Sequence, residues 1–457
     1  MNLSKSLIKH EGPILRKSLG CKVISVIMVT ALLLSVLPMT LLPTVSATDT
    51  SLDVTYKEAL DALLVTVAQT TPTVDSVGGE WAVLAVNRGG VKNTAWNNAY
   101  LDTVEAFLKN PNNIYSYDPI TGIVKIHGIK ITDNERVILA LSSVGVDASN
   151  FRGFDLVSAL LEKGSNGQYL LPAQGTNGVI FALIALDSGN YLPGTDGQVL
   201  RQWCIDYLLN CKLSSGGWNL NGIPILPADV DITGMAIQAL APYYKTNADV
   251  KTAVDNALTW LRSKQNANGG YASGYDLTVA SSTESIVQVI VALSALGIDA
   301  TSWTQPGGYN LMTALLQNYN EAGGWFGKEG NTAKNVMSTE QGTYGLVAYD
   351  RFLNGKNTLY NMSDAFAKPI IYGDITGDGI VNRLDQTVLN QYFSGTLPAG
   401  AVFIMANADV NGDGVFNRAD QTRFNQYFSG VDPSPLGPKT TLSSTGSHVS
   451  SAFEVSR

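Results

Sequence analysis

The chain has 457 residues, 30 basic and 38 acidic, for a net charge of −8. That length is too great for one small domain, and the acid excess argues against a nucleic-acid binder, which carries a basic footprint. Only 15% of the residues are charged, where soluble domains average about 25%, so Asn, Ser, Thr and Gly make the surface polar without charging it.

In chain order, the first element is a leader. Lys5, Lys9, Arg16, Lys17 and Lys22 precede an apolar run from Val23 to Leu42, and Val45-Ser46-Ala47 supplies the small residues a signal peptidase needs. The expectation is a signal peptide over 1–47 and a secreted protein. An uncleaved anchor is the competing reading, because the run approaches spanning length; Pro38 and Pro43, just ahead of Val-Ser-Ala, favour cleavage. Losing the leader leaves 410 residues with 25 basic against 37 acidic and no further apolar run to hold the chain in a membrane. Cys21 leaves with it. Cys204 and Cys211 stand seven apart in a helical pattern, about 10 Å along the axis, which is too far for a disulfide. They read as buried apolar cysteines unless the helix stops before Cys211.

From Gly79 to Phe352 one pattern recurs about every fifty residues. Glu80–Val86, Asn134–Val144, Thr176–Leu186, Asp231–Tyr243, Ser282–Leu296 and Ser338–Phe352 are apolar nearly all round, as enclosed helices are. Between them lie amphipathic stretches: Leu52–Gln69, Thr94–Leu108, Phe154–Glu162, Val199–Leu209, Val250–Lys264 and Leu311–Tyr319. Six enclosed helices alternating with six amphipathic ones can close into a ring, with the apolar set inside; an open solenoid is the rival. Gly216-Gly217-Trp218, Gly269-Gly270-Tyr271 and Gly323-Gly324-Trp325 follow outer helices. There the glycines would form left-handed caps and the aromatic a wedge between repeats, or else a stacking surface for a ligand. Gln265-Asn266-Ala267-Asn268-Gly269-Gly270-Tyr271 resembles the Gln-Trp motif of the prenyltransferase and squalene cyclase repeat family, whose members form α/α toroids. The resemblance covers about residues 50 to 360 and implies the fold. The other two copies have Lys212 and Tyr319 in place of the Gln.

The chemistry of that family is less well represented. A class II cyclase protonates an alkene from a buried aspartic acid, and Asp229-Val230-Asp231-Ile232 has Ile232 where the family's motif places a further carboxylate. Magnesium-diphosphate chemistry needs clustered Asp, and the chain has no Asp-Asp pair. Zinc-dependent prenylation needs an Asp, Cys and His set, yet only His127 and His448 follow the leader. A thioester of the complement type needs a Gly-Cys-Gly-Glu-Gln run, of which only Glu340-Gln341 is present. What remains is a set of polar residues at inner-helix starts: Asp133 and Glu135, Asp231 and Thr233, Ser282 and Glu284, Ser338 and Glu340. They read as N-caps and acidic first turns. A toroid would gather them around one mouth, so Asp229, Asp231, Glu284 and Glu340 are the candidates for acid or base work on a glycan.

Near the C-terminus, Asp374, Thr376, Asp378, Ile380, Asn382 and Asp385 stand at positions 1, 3, 5, 7, 9 and 12 of a calcium loop with Gly379 at position 6. Asp409, Asn411, Asp413, Val415, Asn417 and Asp420 repeat the set 35 residues on, around Gly414. Ile380 and Val415 would donate main-chain carbonyls. Near-identical helices follow, Gln386–Gly395 and Gln421–Gly430. Loop plus exiting helix, duplicated, resembles a type I-like dockerin of cellulosome assemblies. The resemblance implies two Ca2+ sites and docking on a cohesin through positions 10 and 11, here Arg383-Leu384 and Arg418-Ala419. These depart from the Ser-Thr pair common in one type.

The expected organisation is therefore all-α: a signal peptide at 1–47, an α/α toroid of about six helix pairs at 48–366, a calcium-binding dockerin at 367–431 and a disordered tail at 432–457. The expected function is calcium-dependent docking of a secreted toroid onto a cohesin-bearing, polysaccharide-degrading complex, with a small-molecule or glycan ligand for the toroid. The toroid is either a binding or scaffolding module or a glycan-active or cyclase-like enzyme.

Overall fold

The computed structural model describes residues 54–272, 280–328, 330–366, 371–398 and 400–437. The leader lies outside them, as does the tail beyond 437. The chain divides into two compact units after Phe366. Thirteen α-helices are found among the described residues: α1 (Tyr56–Ala68), α2 (Glu80–Arg88), α3 (Thr94–Lys109), α4 (Thr132–Val144), α5 (Thr176–Ser188), α6 (Thr195–Cys211), α7 (Val230–Leu240), α8 (Ala248–Lys264), α9 (Thr283–Leu296), α10 (Leu311–Leu316), α11 (Val336–Leu353), α12 (Arg383–Ser394) and α13 (Arg418–Ser429). None is long and apolar enough to cross a membrane.

In the first unit α2, α4, α5, α7, α9 and α11 pack each on the next, and α11 packs back on α2. The ring is closed, which decides against an open solenoid. Composition explains why these six are inside: eleven of the thirteen residues of α5 are buried, leaving only Asn177 and Asp187 partly in solvent. Each fully buried Leu or Ile contributes about 1.5–3 kcal/mol, so such a helix is stable only when enclosed. The flanking helices α1, α6, α8 and α10 bury one stripe against the ring, as Val250, Ala253, Val254, Ala257 and Leu261 of α8 do.

Three expectations are corrected. Phe154–Glu162 is not an α-helix: Phe154 pairs with Phe151, the Asp155 carboxylate accepts from the amides of Val157 and Ser158, and only a 3-10 turn over Ser158–Leu161 follows. The Gly-Gly pairs do not cap their helices, because α6 and α8 end on extended Lys212 and Gln265. The glycines instead shape the turn beyond, where Gly269 has φ +86° and a Cβ would strike the Asn310 backbone. Residues 432–437, expected in the tail, pack on the second unit: Arg423 binds the Asp432 and Ser434 carbonyls at 2.9 and 2.6 Å, and Gly437 N–H donates to Val410.

The aromatic wedges hold in two copies. Trp218 and Tyr271 are fully buried, each donating back to its own outer helix, at the Leu208 carbonyl (2.7 Å) and the Leu261 carbonyl (3.0 Å). The third, Trp325, sits half-buried in a two-residue hairpin, β3 (Tyr319–Asn320) against β4 (Trp325–Phe326); β1 (Ser116–Tyr117) and β2 (Val124–Lys125) form the other such pair. Cys204 and Cys211 are free and buried, and α6 runs through both.

After α11 the chain crosses the end of the ring at which the inner helices finish. This strap, residues 355–366, is held by two buried arginines. Arg88 of α2 donates to the carbonyls of Leu359, Thr358 and Asn361 and to Asp364, and Arg351 of α11 donates to Asn357, to the Arg88 carbonyl and to Asp364. Met362 N–H reaches Ser188 of α5. The strap passes so close to α4 that a Cβ at Gly145, which caps α4 with φ +84°, would run into the Ala365 carbonyl. Partial burial opposes the charge on Asp364, yet the two guanidiniums hold its carboxyl below the usual range. Its contribution is therefore present above about pH 4 and lost as the pH falls through the lowered value. Asp364→Asn leaves Arg88 and Arg351 without an anion. It should destabilise the first unit by about 2–3 kcal/mol, less than a fully buried pair because Asp364 is 38% exposed. Differential scanning calorimetry should show that unit melting about 5 °C lower with the second unit unchanged; an unshifted transition would remove the strap from the list of stabilising elements.

Candidate functional site

The inner helices all start at one end of the ring, and there they enclose a cavity of about 400 Å³ to which each of the six contributes. Its residues recur at helical spacing: Asn177 and Phe181 on α5, Asp231 and Met235 on α7, Glu284 and Gln288 on α9, Met337, Gln341 and Tyr344 on α11. Trp81 of α2 lies between Phe181 and Tyr344, ring centroids 5.8 and 5.7 Å away, forming an aromatic floor. Below it the bore is crossed by an amide belt. Gln238 Nε2 donates to the Gln288 carbonyl (2.8 Å) and Oε1 (3.0 Å), and Gln288 Nε2 donates to Tyr344 (2.8 Å) and to Gln341 Oε1 (3.2 Å).

Of the four candidate carboxylates, two line this mouth. Asp231 has an Oδ1 that solvent does not reach and that has no hydrogen-bond partner. Burial, then the charge of Asp229, push its carboxyl up to about 7. Glu284, on the neighbouring helix α9, accepts from Ser282 Oγ (2.9 Å) and Ser338 Oγ (2.6 Å). Asp229 caps α7, accepting from Ile232 N–H at 2.9 Å. Glu340 is turned away from the cavity: both its oxygens accept from Gly78 N–H, at 3.0 and 3.1 Å, tying α11 to the loop before α2. Ser282 is the N-cap of α9 as expected. Asn335 caps α11 in place of Ser338, and Thr233 is spent on Trp218.

Two further acids escaped the sequence reading as functional candidates. Glu80, 1% exposed, has one oxygen against Arg136 at 3.4 Å and the other without a partner; burial raises its carboxyl to about 8 against the pull of Arg136. Glu135 is fully buried with neither oxygen partnered, and burial raises it well above the carboxylate range. Glu135 reads in sequence as a first-turn acid and Glu80 as the start of an apolar run, and nothing local distinguishes either from an exposed acid.

In the second unit each loop curls around its first acid. Asp374 accepts from the amides of Gly377, Asp378 and Gly379, and Asp409 from those of Gly412 and Gly414. Gly379 and Gly414 take φ of +84° and +85° for the turn. Asp385 and Asp420, both fully buried, close the loops on the amides of Thr376 and Asn382, and of Asn411 and Asn417. Asn382 and Asn417 spend their side-chain oxygens capping α12 and α13, each at 2.7 Å. Among the described residues no three His, Cys, Asp or Glu side chains stand together as a ready metal cluster; half the donors of a calcium loop are not acidic, and here the acids are turned onto amides. The donor set suits a hard cation: three carboxylates, a Thr or Asn, and a loop carbonyl, with position 9 reaching through water.

The two loop-helix units interlock. Arg383 donates to the Phe428 carbonyl at the end of α13 (2.9 Å) and lies 5.4 Å over the Phe428 ring, while Arg418 does the same to Phe393 of α12, at 2.9 and 5.2 Å. Gln386–Asn425 and Gln421–Asn390 bonds, both 2.8 Å, repeat the exchange. The unit's fully buried core is small: Ile375, Leu389, Ala408, Val410 and Phe424.

Residues 372–429 match the dockerin type I domain. The second unit is a dockerin. Dockerins of this type bind calcium. No curated protein matches the sequence. Among solved structures, the chain is similar to the ent-copalyl diphosphate synthase of Streptomyces platensis, with 18% identity over 60% of this chain and a TM-score of 0.37; it spans half the length of that enzyme. A polysaccharide lyase matches at 12% identity over 65% of this chain and 98% of its own, with a TM-score of 0.44. The protein geranylgeranyltransferase-I of Candida albicans matches at 12% over 68% and 97%, also with a TM-score of 0.44. The toroid itself rests on the packing of α11 against α2.

The buried acids give the first unit a definite pH response. Their folded pKa values lie above the unfolded ones, so the stability they carry is complete below about pH 4 and is lost as the pH rises through 7 to 8 for Asp231, Glu340 and Glu80. The melting temperature of this unit should therefore fall between pH 5 and pH 8.5. Glu135→Gln has no proton to lose and should melt with the wild type at pH 5 but above it at pH 8.5. Parallel profiles for the two proteins would show Glu135 to be ionised and solvated.

Proposed function

We propose that the chain is a secreted protein whose dockerin, holding two calcium ions, attaches the toroid to a cohesin on an extracellular, polysaccharide-degrading complex, where the toroid's mouth binds a ligand of the glycan class. The observation that carries this is the duplication: two loops with matching donors, each followed by a helix that the other unit's arginine caps. In the first loop Asp374, Thr376, Asp378, the Ile380 carbonyl and Asp385 hold one ion, with Asn382 through water. In the second, Asp409, Asn411, Asp413, the Val415 carbonyl and Asp420 hold the other, with Asn417 through water. The bound ions offset the mutual repulsion of the six loop carboxylates, of which Asp374, Asp385 and Asp420 are buried, that so small a core does not offset alone.

Docking uses Leu384 and Ala419. Leu384 is 54% exposed beside Ile380 at 63%, and Ala419 is exposed beside Val415 at 61%. The guanidiniums of Arg383 and Arg418 are taken up by the opposite helix and contribute their stems to the contact. An aromatic floor with a rim of amides and carboxyls suits the apolar face and hydroxyls of a sugar ring. A second reading, a glycan-active enzyme, is favoured by one observation, the buried Asp231 carboxyl, pushed up to about 7, in the same mouth as the Glu284 carboxyl on the neighbouring helix. Asp231→Asn separates the two: it spares glycan binding in both, and abolishes turnover of a polysaccharide panel only in the second.

Titrating the full chain with a chelator should melt the dockerin's helices while the toroid stays folded, as read by far-ultraviolet circular dichroism and calorimetry; unchanged helicity with no heat of calcium binding removes the metal assignment. Against a cohesin panel in calcium, Leu384→Asp or Ala419→Asp alone should weaken binding by under tenfold, since either face serves, and the two together should abolish it. Leu buries more apolar area than Ala, so its own face is favoured by about 1 kcal/mol. Complete loss with one single variant would leave only one unit as the docking face.

A further inference from the structure

The stripes that line the mouth continue past the amide belt. On the far side Ile184 and Asp187 of α5, Gln238 of α7 and Val291 of α9 border a second cavity of about 370 Å³, which the strap closes with Thr358 to Asn361. Belt and strap thus make a compartment separate from the mouth.

Its polar content is specific. Gln238 is 4% exposed, and its Oε1 has no hydrogen-bond partner. Its orientation is not free: both hydrogens of Nε2 are committed, to the carbonyl and to Oε1 of Gln288. Rotating the amide by half a turn would set an oxygen against two oxygens, so Oε1 is held as an acceptor lacking a donor. Asp187 also borders the cavity but offers it no charge, since one oxygen binds Arg201 Nε at 2.7 Å and the other accepts from Tyr243 at 2.8 Å. The remaining wall is largely apolar, from Ile184, Val291 and Leu359.

We propose that this compartment is a second ligand site, taking a compact uncharged molecule that presents a hydroxyl donor to Gln238 Oε1 from an apolar framework. A phenol and a small sugar ring share that chemistry. An ion would lie against apolar walls without a counter-charge, and an ether or ketone would leave Oε1 as it is.

The test uses the full chain and three probes: 2-naphthol, cellobiose, and 2-methoxynaphthalene, which keeps the apolar frame and lacks the donor. Calorimetry and naphthol fluorescence should show binding of at least one hydroxylated probe, and which one binds separates the phenol from the sugar. The methoxy compound should bind at least tenfold more weakly than naphthol if naphthol is the ligand. Ala239→Phe fills the compartment without touching the belt and should abolish binding, and Gln238→Met should reduce it tenfold or more; calorimetric melting confirms that each variant is folded. If either fails to fold, the naphthol and methoxynaphthalene comparison on the wild type, with a co-crystal of whichever probe binds, still decides the matter. The proposal is overturned if neither hydroxylated probe binds, if naphthol and its methyl ether bind equally, or if the bound probe lies in the mouth and survives Ala239→Phe.

Discussion

Six helices that are apolar on nearly every face cannot be satisfied by pairing, because pairing buries only one face of each. Enclosure on all sides is the constraint, and closing the ring through α11 and α2 meets it with each inner helix between two others and an outer layer behind. The same closure explains where polarity is tolerated. The one face of each inner helix with no neighbour looks into the bore, and there the chain places Asp231, Glu284, Gln238, Gln288 and Gln341.

That placement has an electrostatic consequence. Acids on the first turns would ordinarily be ionised and favoured by the helix dipole. Burial prevails over the dipole at Glu80, Glu135 and Asp231, where the cost of desolvating charge exceeds a dipole worth about 0.3–1 kcal/mol. Glu284 differs in its partners, accepting from the hydroxyls of Ser282 and Ser338. The mouth thus holds acids of two kinds, distinguished by their immediate partners.

Much of the ring was legible in sequence because burial leaves a periodic mark. The starts and ends of α2, α5 and α9 fall within two residues of their apolar runs, and the repeat predicts their order. The stretch Phe154–Glu162 misled because its apolar residues pack without a helix, Asp155 having taken the amides that one would use. The strap left no mark at all: Arg88 and Arg351 look like ordinary cations in the last turn of a helix, and only the fold shows that both turn inward to Asp364. The amide belt was hidden for a related reason, since a Gln on an apolar helix has no local sign of what lies across the bore. The two loops were legible as turns, because the spacing around Gly379 and Gly414 is set by the geometry of one turn. What spacing does not reveal is that Asn382 and Asn417 serve their helices, or that Arg383 and Arg418 serve each other's unit.

The reciprocal arginine clasp makes the dockerin geometrically a homodimer with its two subunits joined end to end. Neither half is complete: the helix of each ends on carbonyls that the other half caps, and the five-residue core is assembled from both. A lone loop-helix unit would carry an uncapped helix and an unused guanidinium, and would complete itself only by meeting a second copy in the same register. Duplication within one chain replaces that encounter with a linker, turning a concentration-dependent association into an intramolecular one.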